Sequence, residues 1–211
     1  MNNIKKLLSS FCEEDYKYAV NLHIHTTFSD GKATPQEILT QAKSMNMKKI
    51  AICDHNTVNA YLADNTLLTD IVIPAIEFDC WYMGCLIHIL GYGIDVNNKE
   101  LQSLCARTKA GTEADIVRLF SFRHPKKVIQ AIHNAGGVAV LAHPACYWAW
   151  SLSLLVKRLI RLGLDGIEVF YQYRRHRSII KFHSEKKVAR IAAKYGLIPT
   201  GGTDEHGSLK K

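Results

Sequence analysis

The chain alternates between short apolar runs and longer segments in which apolar residues recur at helical spacing. Short apolar runs bounded by polar residues are typical of buried strands, and seven of them occur. The predicted strands cover residues 18–24, 49–53, 71–76, 86–90, 138–142, 166–170 and 197–201. Strands that alternate with helices usually form a parallel sheet, either open or closed. The pattern therefore predicts an α/β fold with seven strands.

The segments between the strands carry helix start and stop signals. Thr34-Pro35-Gln36-Glu37 combines an N-cap, a first-turn proline and a capping-box glutamate, which predicts the start of a helix. Pro125 begins another helix, and Gly136 and Gly137 end it. The apolar spacing predicts further helices at residues 4–11, 57–69, 151–162 and 184–195. The mostly polar residues 95–122 are predicted to be helical and partly exposed.

The composition is that of an ordinary globular protein. The chain has 211 residues, of which 47% are apolar and 22% are charged, enough for one domain over residues 1–211. We find no apolar run that could span a bilayer, and the N-terminus lacks the features of a signal peptide. The six cysteines form no C-x-x-C pair, so we expect reduced thiols in a cytoplasmic protein.

The formal charge of +8 is unevenly distributed along the chain. Residues 118–190 hold 14 Lys and Arg residues against three acidic residues. Such a basic half suits an anionic partner, such as a phosphate ester or a nucleic acid. For any single Lys or Arg, an exposed position on a helix face is the simpler interpretation.

Histidines and acidic residues concentrate at the ends of the predicted strands. His23 and His25 alternate on the first strand, so both project from one face and could bind one metal ion. Later strands deliver further donors at or after their carboxyl ends. The nine candidate ligands are His23, His25, Asp30, His55, Glu77, His88, His143, Asp204 and His206. Any one histidine could be an ordinary core or surface residue, but six at equivalent places favour a metal site.

Nine nitrogen and carboxylate donors exceed the needs of one ion. They suit two or three divalent ions, with Glu77 as a bridging carboxylate. Mixed imidazole and carboxylate ligands favour manganese, zinc or iron, and the lack of cysteine ligands argues against a structural zinc site. A closed barrel brings all strand ends together, whereas an open sheet spreads them along an edge. We therefore predict a distorted barrel with the metal site at the C-terminal ends of its strands.

Seven motifs follow one another between about residue 20 and residue 207. They are NLHIHTTFSDG, AICDHNT, IE, LIHILGYGID, AGGVAVLAHP, DGIEVF and TGGTDEHG. Together they resemble the polymerase and histidinol phosphatase (PHP) superfamily, and most of all its stand-alone metal-dependent phosphoesterases. The resemblance implies a single PHP domain folded as a distorted seven-stranded (β/α)7 TIM-like barrel with a trinuclear site. It also implies action on nucleotides or on RNA ends.

The resemblance assigns ligands to each of the three ions. The first ion would bind His23, His25, Glu77 and Asp204. The second ion would bind Glu77, His88 and His143. The third ion would bind Asp30, His55 and His206. Because every position holds a competent ligand, the pattern argues against a non-catalytic copy of the domain.

Two departures from the superfamily pattern affect substrate binding. Relatives often carry a helical insertion where this chain has only a shortened segment at about residues 95–123. They also often continue beyond the position of His206. We therefore expect a more open pocket, and the substrate is less well defined than the metal site.

The resemblance implies hydrolysis of phosphate esters of nucleotides or short nucleic acids, and the donor set is suited to it. A water between two ions loses a proton near neutral pH, and this metal-bridging hydroxide attacks phosphorus. The reaction then needs no side-chain nucleophile, and we assign none. Asp54 and Glu168 could orient ligand histidines, or they could equally cap backbone amides. No membrane and no obligate protein partner is expected.

The loop after the sixth strand is basic and should overhang the metal ions. The planar fork of arginine suits phosphate, and a tyrosine ring can stack on a base. The predicted substrate contacts are His176, Arg174, Arg175 and Arg177. His183 is a rival to His176, and Arg123 is a further candidate.

Three other functions are compatible with parts of the sequence. Histidinol phosphate could be the substrate, although the HILG and DGIEVF motifs fit the nucleotide branch better. Amidohydrolases also use H-x-H on a first barrel strand, but they usually have a bridging lysine or carboxylated lysine, and Glu77 and the terminal D-x-H motif of this chain argue against that class. A non-catalytic, metal-stabilised nucleic-acid-binding PHP module is the third alternative, and the lack of an attached polymerase weighs against it.

Overall fold

The computed structural model describes residues 3–120, 122–171 and 183–209. Its strands are β1 (Val20–Ile24), β2 (Lys49–Ile52), β3 (Ala75–Tyr82), β4 (Cys85–Tyr92), β5 (Val138–Leu141), β6 (Gly166–Tyr171) and β7 (Ile198–Gly202). One sheet has five strands in the order β3-β4-β5-β6-β7, and a second sheet consists of β1 and β2 in parallel. Each of the seven predicted strands therefore has a counterpart in the structure.

The described residues between the strands form helices of very different lengths. These are α1 (Asn3–Ser9), α2 (Glu13–Tyr18), α3 (Pro35–Ser44), α4 (Asn59–Ala63), α5 (Lys99–Ser103), α6 (Ala110–Glu113), α7 (Asp115–Leu119), α8 (Pro125–Asn134), α9 (Leu152–Arg161) and α10 (Glu185–Tyr195), with 3-10 turns at Asn65–Leu67 and Pro144–Cys146. The capping box before α3 is confirmed, because Thr34 and Glu37 exchange hydrogen bonds through their amides and side chains. The predicted helix at residues 57–69 is only α4 and a 3-10 turn.

The prediction of an entirely parallel sheet is wrong, because β3 and β4 form an antiparallel hairpin. Met83 and Gly84 join these strands, and their φ angles are positive, at 53° and 72°. Such a two-residue turn matches the twist of antiparallel strands, whereas parallel neighbours need a long crossover. β4 is also antiparallel to β5, while β5, β6 and β7 are parallel to one another. The larger sheet is therefore mixed.

The hairpin changes where two candidate ligands lie. β3 begins after Pro74, which has no backbone N–H to donate to a ladder, and extends well beyond the predicted end. Glu77 and His88 therefore lie inside strands rather than after their carboxyl ends. His88 is paired with Asp79 across the hairpin. The prediction that all the ligands follow strand ends is thus wrong for these two residues.

The two sheets do not close into one continuous barrel. Among the described residues, no ladder joins β2 to β3 or β1 to β7. Isolated bridges lie at both gaps, between Ile50 and Val72 and between Ile24 and Glu205. The amide of His25 also donates to the Glu205 carbonyl at 2.8 Å. The α/β class is confirmed, but the closed (β/α)7 barrel of the prediction is not.

The longer helices cover the strands with their apolar faces. Ile38 of α3, Ile132 of α8, Leu155 of α9 and Ile191 of α10 are each at most 4% exposed. Burying a large aliphatic side chain stabilises a fold by about 1.5–3 kcal/mol. These faces hold the helices on the strands, and the candidate ligands lie on the strands or in the segments that follow them.

The cysteines are all free thiols. Cys53 and Cys80 are completely buried, and burial raises the thiol pKa of both above its usual value. They pack as small apolar side chains and are poor nucleophiles. Separately, no helix in the described ranges combines the length and the hydropathy needed to cross a bilayer.

Asp165, just before β6, links several elements of the fold. Its carboxylate accepts hydrogen bonds from Lys5 Nζ at 2.6 Å and from the Ala139 amide at 2.9 Å, and it lies 2.7 Å from Nε2 of His133. Burial alone would raise the pKa of Asp165. The bonds from His133, Lys5 and Ala139 outweigh burial and hold this pKa below its usual value of 3.8.

We expect Asp165→Asn to lower the free energy of unfolding by about 1–3 kcal/mol at neutral pH. Because the folded pKa is depressed, the stabilisation is complete above the usual pKa of 3.8 and is lost as pH falls through the folded value. Urea unfolding should show a gap between the two proteins at about pH 7 that narrows towards about pH 3. A gap that does not change with pH would contradict this electrostatic origin.

Candidate metal centre

β1 presents two imidazoles on one face. His23 and His25 are completely buried, and their ring centroids lie 5.2 Å apart. Ile24 between them packs into the apolar core. The alternation of side chains along a strand accounts for this arrangement.

Glu77 on β3 lies among five of the histidines. Its Oε2 atom is 3.2 Å from Nε2 of both His23 and His25 and 3.4 Å from Nδ1 of His55. Its Oε1 atom is 3.1 Å from Nδ1 of His88 and 3.3 Å from Nε2 of His143. Each carboxylate oxygen therefore faces a different set of imidazoles. A carboxylate that bridges two metal ions has this arrangement.

Asp204, in the loop after β7, adds a second carboxylate to the first pair of histidines. Its Oδ1 atom is 3.1 Å from Nε2 of His25 and 3.5 Å from Nε2 of His23. The Tyr171 hydroxyl donates to Oδ2 at 2.8 Å and fixes the carboxylate. Asp204 has a φ angle of 51°, which is uncommon for a residue with a side chain. This backbone conformation directs the carboxylate to the histidines.

A further group of donors lies beside this pair. Asp30 Oδ1 is 3.3 Å from Nε2 of His206, and Asp30 Oδ2 is 3.7 Å from Nε2 of His55. The rings of His25 and His206 stack at a centroid distance of 4.3 Å. The structure thus brings all nine candidate ligands into one cluster.

The donors in this cluster fit divalent metal ions. Within the described ranges, four groups, each with donor atoms within 4.8 Å of one another, could hold an ion. The groups are His25, Asp30, His55 and His206; His23, His25 and Asp204; His23, Glu77 and His143; and His55, Asp79 and His88. Both ring nitrogens of His25 and Nδ1 of His143 are buried without a well-aligned hydrogen bond in the described structure, although carboxylates lie close to His25. Buried polar atoms without partners are costly, and a bound cation would satisfy them.

Charges within the cluster keep its carboxylates ionised. Burial alone would raise the pKa of Glu77 and of Asp204, but the neighbouring histidines outweigh it and hold both well below the usual range. Burial would lower the pKa of His25, yet Asp204 and Glu77 raise it to about 10. For His55, burial outweighs Glu77 and lowers the pKa to about 4. Metal binding to His25 should therefore release a proton at neutral pH.

Two more carboxylates support the cluster in different ways. Glu168 on β6 has Oε1 3.1 Å from Nδ1 of His23, and its Oε2 accepts a hydrogen bond from the His143 amide at 2.8 Å. Glu168 thus orients one candidate ligand and caps the backbone of another. Asp54 accepts hydrogen bonds from the amide and the hydroxyl of Thr26, both at 2.7 Å. Asp54 therefore orders the loop after β1.

Two charged residues at the cluster lie outside the nine predicted ligands. Asp79 is completely buried, with Oδ1 3.3 Å from Nδ1 of His55 and 3.4 Å from Nε2 of His88. Arg118 of α7 donates from Nε to Asp79 Oδ2 at 3.1 Å. Asp79 follows Glu77 by two residues on one strand, and this spacing could have revealed it. Arg118 lies in an irregular polar segment that offers no comparable signal.

The predicted substrate contacts are not placed at the cluster by the structure. His176, Arg174, Arg175 and Arg177 lie outside the described residues. The rival His183 has Nε2 2.9 Å from the carbonyl oxygen of Ala149. Arg123 donates to the Leu104 carbonyl at 2.6 Å, and its guanidinium lies 5.8 Å from the centre of the Phe78 ring. Arg123 therefore packs between β3 and the segment that follows β4.

The sequence matches a known family and several characterised proteins. A model of the PHP domain matches residues 21–191. The phosphoribosyl 1,2-cyclic phosphate 1,2-diphosphodiesterase of Eggerthella lenta is 25% identical, with 90% of this chain and 94% of the relative covered. The 5′-3′ exoribonuclease Rnm of Escherichia coli is 26% identical, with 91% and 87% covered.

Solved structures share the fold. An amidohydrolase from Chromobacterium violaceum, with bound sulfate and no metal, superposes with a TM-score of 0.71 at 20% identity over 89% of this chain and 87% of that chain. A protein from Bifidobacterium adolescentis described as a metal-dependent phosphoesterase gives a TM-score of 0.68 at 22% identity, with 91% and 89% covered. At these identities the similarity shows the fold alone.

Proposed function

Because the chain belongs to the PHP domain family, we propose that it is a metal-dependent hydrolase of phosphate esters of nucleotides or short nucleic acids. The observation that carries the proposal is the position of Glu77, with one carboxylate oxygen facing His23, His25 and His55 and the other facing His88 and His143. Relatives named as a cyclic phosphate diphosphodiesterase and a 5′-3′ exoribonuclease support this class of reaction.

The ligand geometry supports two cations that share Glu77. His23, His25 and Asp204 would complete the first position, and His88 and His143 would complete the second. Manganese, zinc or iron suits such mixed ligands. When bound, these ions supply an activated water and neutralise the phosphoryl oxygens. Glu168 would hold His23 so that its Nε2 atom faces the first position.

Side chains beside the cluster support attack by water rather than by a protein group. The hydroxyls of Thr26 and Ser29 both donate to Asp54 at 2.7 Å. The Cys53 thiol is buried with a raised pKa and donates to the Leu22 carbonyl. Each of these groups is therefore engaged elsewhere and is a poor nucleophile.

The same proposal extends to the domain and its setting. We propose that the strands surround the centre as an irregular barrel, and the bridges of Ile24 with Glu205 and of Ile50 with Val72 support closure. Residues 1–211 would form one PHP domain, with residues 95–123 as its short insertion. The free thiols support a cytoplasmic location.

We expect the purified protein with Mn²⁺ to release phosphate from a generic aryl phosphate. His143→Ala should lower kcat/KM by about 10³-fold or more, because Glu77 Oε1 loses one of its two facing imidazoles. His133→Ala is the matched control, since His133 contacts Asp165 outside the cluster, and it should keep its activity. A His143→Ala variant with wild-type activity would contradict the proposal that this cluster is the catalytic centre.

The substrate class is tested with a panel of nucleoside bisphosphates, mononucleotides, short RNA and histidinol phosphate. The proposal predicts the highest kcat/KM on one of the nucleotide or RNA substrates. Preference for histidinol phosphate would favour the alternative phosphatase. Metal-dependent RNA binding without turnover of any ester would contradict an enzyme and indicate a binding module.

A further inference from the structure

Arg118 lies against donors of the third predicted metal position. It is on α7 in the short insertion and is only 6% exposed. Its Nη1 atom donates to Asp30 Oδ2 at 2.7 Å, and its Nη2 atom lies 2.6 Å from Nε2 of His55. Asp30 and His55 belong to the group that also contains His25 and His206. A positively charged side chain thus already occupies the ligand atoms that a third cation would need.

Asp79 holds the guanidinium in this place. The Nε atom of Arg118 donates to Asp79 Oδ2 at 3.1 Å, and Nη2 donates to Oδ1 at 3.3 Å. Two parallel bonds to one carboxylate fix both the position and the plane of a guanidinium. Asp79 is completely buried, so this ion pair is shielded from solvent. Arg118 is therefore anchored from one side and presents its remaining N–H groups to Asp30 and His55.

A guanidinium in this place competes with a divalent cation for its ligands. A neutral imidazole has one lone pair, so Nε2 of His55 can accept an Arg118 N–H or bind a metal ion but not both, and the guanidinium also holds Asp30 Oδ2. Two like charges a few ångströms apart in a buried site also repel each other strongly. Arg118 contacts Asp30, His55, Asp79 and Asp115, and none of these four residues belongs to the two positions that share Glu77.

We propose that Arg118 takes the place of the third cation, so that the working centre holds two cations and one guanidinium. The role that follows rests on the proposed function: the arginine supplies the third positive charge that faces the phosphoryl oxygens. A guanidinium is suited to this, because its planar donors match phosphate. This chain therefore differs from the three-ion pattern that its sequence motifs imply, and Asp79 is the residue that positions Arg118.

Metal content tests the proposal without reference to turnover. Metal-free protein is loaded with excess Mn²⁺, desalted and analysed for manganese per chain. Wild type should retain two ions, and Arg118→Met should retain three, because Asp30 and His55 are released. Crystals of the variant should show an additional anomalous peak beside Asp30 and His206.

Two further variants keep the test decisive. Arg118→Met leaves Asp79 buried without its partner, so the double variant Arg118→Met/Asp79→Asn removes both charges and should also bind the third ion. Arg123→Met is the matched control, because Arg123 lies in the same segment and contacts Leu104 and Phe78. It should retain two ions.

Three manganese ions in the wild type would overturn the proposal, and so would two ions in both Arg118 variants. The proposed phosphoesterase activity can be refuted independently of the role of Arg118. A wild type that binds two ions but hydrolyses no ester would refute the phosphoesterase and leave the replacement of the third cation standing. Phosphate binding, measured by calorimetry on proteins loaded with only two equivalents of Mn²⁺, should weaken about 10-fold or more in the Arg118 variants, because they lack the guanidinium that faces the substrate.

Discussion

Glu77→Gln should lower kcat/KM for every phosphate ester by at least about 10³-fold, which corresponds to about 4 kcal/mol of lost transition-state stabilisation. The substitution keeps the side-chain volume but removes the negative charge. The carboxylate oxygens of Glu77 lie 3.1–3.3 Å from nitrogens of His23, His25, His88 and His143. Loss of the negative charge therefore affects both proposed ions at once. Steady-state kinetics with saturating Mn²⁺ measures the effect.

Asp165→Asn is the control for loss of a partly buried carboxylate. It should reduce stability, yet leave kcat/KM within about 2-fold of wild type, because Asp165 contacts Lys5, His133 and Ala139 rather than the cluster. Manganese content should fall in Glu77→Gln and stay unchanged in Asp165→Asn. Near-normal activity in Glu77→Gln would mean that the central carboxylate does not bridge the ions.

Removing the metal ions should both abolish activity and lower Tm. A ligand that binds only the folded state at about 100 times its Kd stabilises the protein by about 2.7 kcal/mol. For a domain of this size, each bound ion should therefore raise Tm by about 5–10 °C. The physical reason is that the buried Glu77 and Asp79 and the partly buried Asp204 lie beside imidazoles, among which His25 and His143 have nitrogens without well-aligned partners in the described residues.

The thermal measurement compares chelated and manganese-loaded protein by calorimetry. Glu77→Gln should show a much smaller rise in Tm than the wild type, because it lacks the shared ligand. Magnesium should stabilise less than manganese, since imidazole ligands suit the softer ion. A wild-type Tm that does not respond to manganese, zinc or iron would contradict a metal centre at these residues.

The parts of the structure that the sequence predicts depend on local rules. Alternation at the end of β1 places His23 beside His25, and apolar runs mark the strands that carry or precede the other donors. The capping box at Thr34 fixes the start of α3 in the same local way. The family resemblance is confirmed by the match over residues 21–191.

The parts that the sequence does not predict depend on longer-range packing. Met83-Gly84 is not a common hairpin dipeptide. The sequence pattern therefore predicts β3 and β4 as separate strands of a parallel sheet, whereas the structure has them as a hairpin. The position of Arg118 depends on how a short polar segment folds back across β3 onto Asp79, and no periodicity records that contact. The nine candidate ligands could therefore be predicted from the sequence, whereas the position of the Arg118 guanidinium beside them could not.

One titration tests the central claim most directly. Manganese is added stepwise to metal-free protein, and bound metal and product release from a short 5′-phosphorylated RNA or a nucleotide are followed in the same samples. Hydrolysis should be absent without metal and should reach its maximum when the two positions at Glu77 are filled. Full activity in the metal-free protein, or complete loading with no hydrolysis of any ester, would contradict the account.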